Sequence, residues 1–247
     1  MDNRIALITG GMGGLGEAIV ARFHRRGYRI VVTMSPENHR APEWMESRRR
    51  EGVDVAAYPA DVADYGSCRD CVHRIREEVG PVDILVNNAG VTRDASLRKM
   101  AQADWERVVR TNLDSVFNMT QPVLDGMAAR RWGRIINISS VNGQRGQFGQ
   151  ANYAAAKAGM HGFTMSLALE MARHGVTVNT VSPGYLATRM VTAMPKEVLE
   201  TKILPTIPLG RLGEPDEIAA LVDFIASDEA AYITGANFAV NGGLHMQ

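Results

Sequence analysis

The sequence predicts an α/β fold: a doubly wound, mostly parallel sheet of about seven strands with helices on both faces, in a single domain covering residues 1–247. Three observations predict it. Short apolar runs alternate with longer amphipathic stretches from end to end, with no linker or repeat between them. The first apolar run breaks into a glycine-rich turn that opens a helix, which is how such sheets begin. The chain is also long and apolar enough for one sizeable core, at 247 residues, 45% hydrophobic and 22% charged.

Arg4–Thr9 is the first strand, Gly10–Gly16 the turn and Glu17–Arg26 the first helix. Gly11-x-Gly13-x-x-Gly16 matches the dinucleotide fingerprint in its strand–turn–helix context. The same residues spell Thr9-Gly10-x-x-x-Gly14-x-Gly16, with Met12 and Leu15 between the glycines. Without side chains in the way, the turn lets a diphosphate reach the positive helix end. Arg29–Met34 is the second strand. It ends without the acid that binds ribose hydroxyls in NAD-preferring folds; Ser35 and Arg40 suit a 2′-phosphate instead, so NADP(H) is the expected cofactor. Glu37 in the same turn is the opposing candidate, an acid within reach of the ribose.

A helix over residues 44–51 and a strand over 53–57 lead to Asp61-Val62, where the Asp either accepts from an adenine amino group or caps the helix of residues 64–79. That helix carries Cys68 and Cys71 in a Cys-x-x-Cys spacing. With no second pair in the chain they are read as ordinary helix residues, and no metal site is expected. Residues 82–86 form the fourth strand, followed by Asn87-Asn88-Ala89-Gly90, small enough for close approach of a cofactor. Residues 104–131 read as one long helix containing Asn112 and bent near Pro122. A strand over 134–139, a loop from Val141 to Gln150 and a helix over 152–174 follow. A sixth strand, 176–181, ends in Ser182-Pro183-Gly184. Residues 185–213 read as irregular, a substrate lid, before a last helix after Pro215 and a final strand at 236–240.

Candidate chemistry centres on Tyr153 and Lys157, four residues apart and so on one helix face. A free phenol titrates near 10, too high for proton transfer at neutrality, and a neighbouring ammonium lowers it. Ser140 emerges at the end of the preceding strand. A formal net charge of +0 argues against a nucleic-acid partner, and no apolar run has membrane-spanning length. The N-terminal residues show no charged-then-apolar leader, so a cytoplasmic location is expected.

Taken together, Thr9-Gly10-x-x-x-Gly14-x-Gly16, Asn87-Asn88-Ala89-Gly90, Asn112, Ser140, Tyr153-x-x-x-Lys157 and Ser182-Pro183-Gly184 closely resemble the short-chain dehydrogenase/reductase family over essentially the whole chain. The resemblance implies that Ser140 holds a substrate carbonyl, Tyr153 protonates its oxygen, Lys157 lowers the Tyr pKa and binds the nicotinamide ribose, and Asn112 holds a water between Lys157 and solvent. It places Gly10 to Gly16, Asp61, Val62, Asn88, Ala89, Gly90, Pro183, Gly184 and Thr188 around the cofactor. Within the family, the loop Asn142–Tyr153, Val91–Asp94 and the tail Asn241–Met246 are similar to reductases of short 3-oxoacyl-coenzyme A thioesters. Asp94, Gln147, Phe148, Gln150 and Tyr185 would then line the acyl pocket. Met194-Pro195-Lys196 departs from that likeness, which puts a basic residue one position earlier against coenzyme A. The alternatives are an acyl-carrier-protein thioester as substrate, with Arg130, Arg131 and Arg173 as a docking patch, and a non-catalytic NADP sensor. The family likeness also implies a homotetramer built through the long helices and the C-terminal segment.

Overall fold

The inner strands are short, strongly apolar and buried along their whole length, which only a sheet covered on both sides allows. In the computed structural model, which describes residues 4–246 (side chains of Arg189 and Met190 excepted), seven parallel strands form one sheet in the order β3-β2-β1-β4-β5-β6-β7. They are β1 (Ile5–Ile8), β2 (Arg29–Met34), β3 (Val55–Pro59), β4 (Ile84–Asn87), β5 (Gly133–Ile138), β6 (Val176–Pro183) and β7 (Asn237–Val240). Met1, Asp2, Asn3 and Gln247, which the single-domain reading includes, lie outside the described residues.

Alternation along β1 shows how the core divides. Ile5 and Leu7 join Val31, Leu85, Met119 and Leu167 on one face, while Ala6 and Ile8 join Phe23, Val32, Ile136 and Ile225 on the other. The first face is covered by α3 (Tyr65–Glu78), α5 (Ser115–Arg130) and α6 (Ala151–Met171), the second by α1 (Gly14–Arg26) and α9 (Pro215–Ala226). Each fully buried Leu or Phe contributes roughly 1.5–3 kcal/mol of apolar transfer. Cys68 and Cys71 belong to the first cluster as free, buried thiols, and burial pushes them up to about 12 and about 11. They are packing residues.

Strand order reverses between β1 and β4, so the loops leaving those two strands diverge and open a crevice at the sheet's C-terminal edge. Thr9 fixes its floor. Its Oγ1 accepts the backbone N–H groups of Asn88 and Ala89, each at 2.9 Å, and Asn88 Nδ2 donates back to the Thr9 carbonyl at 2.9 Å. Behind the crevice, Asn87 Nδ2 donates to Asn137 Oδ1 at 2.8 Å and to Thr120 Oγ1 at 3.1 Å, and Asn137 Nδ2 donates to Thr164 Oγ1 at 2.9 Å. This chain joins β4, β5, α5 and α6 just below the site.

Three sequence readings need correction. The expected helix over 104–131 is α4 (Gln102–Val109), a π-helical turn (Arg110–Asp114) and α5, interrupted at Asn112 and not at Pro122. Asn112 Nδ2 donates to the Val108 carbonyl and to the Val91 carbonyl, both at 2.8 Å, and so occupies a carbonyl one turn back. Second, α2 runs Ala41–Arg50, starting earlier than expected because Pro42 sits in its first turn, where a missing N–H costs nothing. Third, the segment 185–213 is largely helical in short pieces: α7 (Arg189–Thr192), α8 (Lys196–Val198), a π turn (Leu199–Ile203) and a 3₁₀ turn (Leu204–Thr206). Its prolines cut one helical run into several. Among the described residues, no helix is long and apolar enough to cross a membrane.

Asn137→Ala should leave Asn87 and Thr164 each short of a buried partner and destabilise the protein by about 2–3 kcal/mol. Urea unfolding would measure it; a change below about 0.5 kcal/mol would show that the network is dispensable.

Candidate active site

Each candidate catalytic side chain is delivered by a different device. Ser140 follows β5 in extended backbone, and its Oγ accepts the Asn142 backbone N–H at 3.1 Å. Tyr153 and Lys157 share the crevice face of α6. Gly143 lets the loop after Ser140 lie directly on that helix, since a Cβ there would come 2.8 Å from the Lys157 carbonyl carbon. Gly159 does the same on another side of α6, where a Cβ would lie 2.9 Å from Leu113 in the π turn. The small residues around Tyr153 and Lys157 therefore set the distances between three elements.

Lys157 is almost wholly buried, and its Nζ donates to the Ile138 carbonyl at 2.8 Å. Desolvation pulls the ammonium down to about 7. Burial also raises the Tyr153 phenol; Ser140 opposes the rise through its hydrogen bond, and Asp94 adds to it. Lys157 Nζ stands 5.6 Å from the Tyr153 ring centroid, and the group that opposes the rise in this geometry is Ser140.

Asn112 Oδ1 is buried without a hydrogen-bond partner among the described residues. It and Lys157 Nζ both face Gly90, where a Cβ would lie 2.5 Å from Oδ1 and 3.6 Å from Nζ. An orphaned acceptor near an ammonium, with a glycine making the room, suits a bridging water.

The cofactor residues gather at the crevice. Gly10 has φ +62°, and a Cβ there would meet Ala89 Cα at 3.1 Å. A Cβ on Gly16 would lie 2.6 Å from the Gly10 carbonyl oxygen, so the turn closes only on glycine. Gly11 is buried against Val32, while Gly13 and Gly14 are exposed at the start of α1, which has no side-chain cap. Met12 and Leu15 pack toward the core beneath the turn. Thr188 touches the turn from the far side, with Cγ2 3.1 Å from a Cβ built on Gly14. Pro183 is buried at the end of β6, and the Gly184 N–H donates to the Val240 carbonyl at 2.9 Å. Free N–H groups, a positive helix end and a cradle that a Cβ would fill are what a dinucleotide diphosphate needs, so the residues present fit one.

Beyond β2 and β3, a cleft of about 520 Å³ is lined by Ser35, Glu37, Asp61, Arg107, Arg110 and Thr111, among others, a size usual for small-molecule sites. Ser35, Glu37 and Arg40 are all exposed in the turn after β2, and the Arg40 guanidinium has no ion-pair partner among the described residues. Asp64, not Asp61, caps α3, accepting the Ser67 N–H at 2.7 Å. Asp61 instead accepts the Ala63 N–H at 3.0 Å and stays at the cleft. Val62 is held from behind, its carbonyl accepting from Asn118 Nδ2 at 3.0 Å.

Of the expected acyl-pocket residues, Asp94 and Gln150 are joined. Gln150 Nε2 donates to Asp94 Oδ2 at 2.8 Å, and Gln150 Oε1 accepts from Asn142 Nδ2 at 2.9 Å. Gln147 starts the turn into α6, its carbonyl accepting the Gln150 N–H at 3.1 Å. Tyr185 packs on the lid cluster of Val141, Ile203, Ile207 and Leu244. Phe148 is different: at 89% exposed it forms no wall in this conformation, carried outward beside Gly149 with φ +82°. Sequence reasoning missed Thr9 as a brace, Asn142, Arg110 at the cleft, and His161, whose Nε2 lies 3.0 Å from Ser139 Oγ. Their polar types inside apolar or helical runs were the available signal.

The fold and this constellation define a nicotinamide-dependent oxidoreductase. Residues 4–198 match the short chain dehydrogenase family, and the chain belongs to it. It is 55% identical to an acetoacetyl-CoA reductase of Cupriavidus necator over 100% of both chains. It is 57% identical to one of Allochromatium vinosum over 98% of this chain and 99% of the relative. A 3-oxoacyl-acyl-carrier-protein reductase of Vibrio cholerae is 46% identical over 100% of this chain and 99% of its own.

The Lys157 shift has a consequence for stability. Its pKa falls from 10.5 to about 7 on folding, so between those values the unfolded chain holds a proton that the folded chain has released. Folding stability from this group therefore rises with pH across that window, and the burial penalty is fully present below about pH 7. Lys157→Met should stabilise the protein at pH 6–7 by about 2–4 kcal/mol, after allowing for the lost bond to Ile138. The gain should shrink toward pH 10; denaturant midpoints of both proteins across pH check this, and a gain independent of pH would refute the buried-charge assignment.

Proposed function

We propose that this protein is an NADPH-dependent acetoacetyl-CoA reductase, working as one domain over residues 1–247 and forming (R)-3-hydroxybutyryl-CoA for polyhydroxybutyrate synthesis. The observation that carries the reading is the half-buried Tyr153 phenol facing Ser140 beside a glycine cradle for a dinucleotide. The names and full-length identity of the relatives support the coenzyme A thioester as substrate.

When bound, NADPH supplies a hydride to the 3-carbonyl carbon. The chain's own residues do the rest. Ser140 donates its hydroxyl hydrogen to the carbonyl oxygen and orients it, and Tyr153 transfers the phenolic proton to that oxygen as negative charge builds there. Lys157 in its ammonium form favours the phenolate left behind, and also binds the nicotinamide ribose. Lys157 then passes a proton to that phenolate and regains one through a water held by Asn112 Oδ1. Asp94 fixes Gln150, whose remaining N–H is free for the thioester carbonyl. Gln147, Phe148 and Tyr185 form the pocket mouth, closed by residues 185–213 as a lid, with Phe148 turning inward when substrate binds.

Ser35 and Arg40 hold the 2′-phosphate of NADPH; Arg40 is exposed, unpaired and beside the cleft that accepts the adenosine. Asp61 and Val62 bound the adenine, Asn88 to Gly90 the adjoining ribose, and Pro183, Gly184 and Thr188 the carboxamide. The protein assembles as a homotetramer in the cytoplasm. Exposed apolar side chains on α5 and α6, Phe117, Met165 and Leu169 (83% exposed), support burial of that face against other copies. Arg131 and Arg173 precede β5 and β6, at the sheet edge opposite the site, and so do not line this chain's own cleft. A carrier-protein substrate has less support for that reason.

Purified protein should consume NADPH rapidly with acetoacetyl-CoA, and slowly with acetoacetyl-carrier protein. The reverse preference would move the activity to carrier-protein thioesters, and no turnover on either would sink the reading. Tyr153→Phe should lower kcat by about 10²–10⁴-fold while keeping NADPH binding within twofold, since only the proton donor is lost. A variant with unchanged turnover would leave the fold as a cofactor sensor. Arg40→Ala should raise KM for NADPH about tenfold or more and leave that for NADH unchanged, by loss of a charge-assisted phosphate contact. Equal effects on both cofactors would assign the 2′-phosphate elsewhere.

A further inference from the structure

Three consecutive residues at the end of β5 each engage α6, and the middle one involves a side chain that the mechanism above does not use. The Ile138 carbonyl accepts Lys157 Nζ at 2.8 Å, the Ser139 hydroxyl donates to the Lys157 carbonyl at 2.8 Å, and Ser140 faces Tyr153. Ser139 is 4% exposed, and its backbone N–H donates to the Val181 carbonyl at 2.7 Å, so it is fixed from the β6 side as well. Its Oγ has one more neighbour: His161 Nε2, at 3.0 Å, one helical turn beyond Lys157.

A serine hydroxyl carries a single proton. That proton goes to the Lys157 carbonyl, which can only accept, so Ser139 Oγ meets His161 as an acceptor and Nε2 must carry hydrogen. The imidazole tautomer follows from the network. Half-burial also lowers the His161 pKa, which keeps the ring neutral near pH 7 and avoids a second cation one turn from Lys157.

We propose that His161 is a positioning residue for the reduction: its Nε2–H, acting through Ser139, clamps the Lys157 turn of α6 to the end of β5 and holds Ser140, Tyr153 and Lys157 in register. The proposal rests on the reductase reading. Its physical basis is that the three groups come from two elements whose relative slide would be felt at once. Misplacement of a reacting group by about 1 Å costs on the order of 10²-fold in rate. The Lys157 carbonyl also serves the helix ladder of α6. Without His161 the Ser139 hydroxyl can rotate away from it, loosening a side-chain contact that ties the Lys157 backbone to the end of β5.

Two variants separate positioning from general packing. His161→Gln keeps a donor at the reach of Nε2, whereas His161→Asn places its donor at the distance of Nδ1, short of Ser139. We expect His161→Asn to lower kcat for acetoacetyl-CoA about tenfold, with KM for NADPH within twofold, and His161→Gln to stay within threefold of wild type. Ser139→Ala should match His161→Asn, and the double variant should be no worse than either single one, as for two members of one linkage. Nitrogen-15 spectra of the imidazole in the protein alone should show the Nε2–H tautomer. An Nδ1–H tautomer, equal losses in the Gln and Asn variants, or additive losses in the double variant would each overturn the proposal. The spectrum needs no substrate, so failure of the tautomer is distinguishable from failure of the acetoacetyl-CoA reading, which the wild-type assay decides.

Discussion

The structure depends on a cation that has almost no water. Lys157 sits buried beneath the crevice, its Nζ held among the described residues by the Ile138 carbonyl, and desolvation pulls it to about 7. A lysine in that position is costly to folding, and the cost is sustained only because the surrounding elements over-determine its place. β5 ends on it, α6 carries it, Gly143 presses the next loop onto its backbone, and Gly90 leaves space beside its ammonium. The packing rules of the site follow from keeping that group both buried and reachable.

That constraint explains why so many of the small residues lie where they do. Gly143, Gly90 and Gly159 are positions where a larger side chain would press the neighbouring loop or π turn away from the helix. Asn112 shows the converse. It spends its amide on two carbonyls, one of them a turn back in its own helix, and leaves its oxygen without a partner near the ammonium. An interrupted helix and an orphaned acceptor are both unfavourable in isolation. Together they create a polar opening beside Lys157.

Much of this was legible in the sequence, and for identifiable reasons. The glycine turn, Ser140 and the Tyr153–Lys157 pair are local: their spacing relative to a strand or helix states their geometry directly. The π turn was not legible. Pro122 is the louder local signal, yet α5 runs through it, because the break is decided by Asn112 reaching Val91, a contact twenty-one residues away in sequence. Residues 185–213 were read as irregular because their prolines interrupt periodicity, whereas their fragments are helical and pack through Leu199, Ile203 and Ile207 against Val141 and Leu244. Phe148 was read as a wall from its type and place, and its exposure is a property of the loop conformation that no residue pattern encodes.

The same distinction separates what Lys157 does from what its spacing suggests. Four residues of helix place an ammonium near a phenol, and charge alone then predicts a lowered phenol pKa. Burial acts on both groups at once and reverses the simple expectation: the phenol rises, the ammonium falls, and the Ser140 hydroxyl is the group that opposes the rise. A proton donor must hold its proton until charge develops on the substrate, so a raised phenol is suited to the waiting state. A lysine near 7 is suited to passing a proton onward at neutral pH, because neither of its forms is strongly disfavoured there. Desolvation, more than ion pairing, therefore sets these two groups apart, the phenol keeping its proton and the ammonium able to release one near neutrality, and it is a property of the packed site that spacing in the chain cannot express.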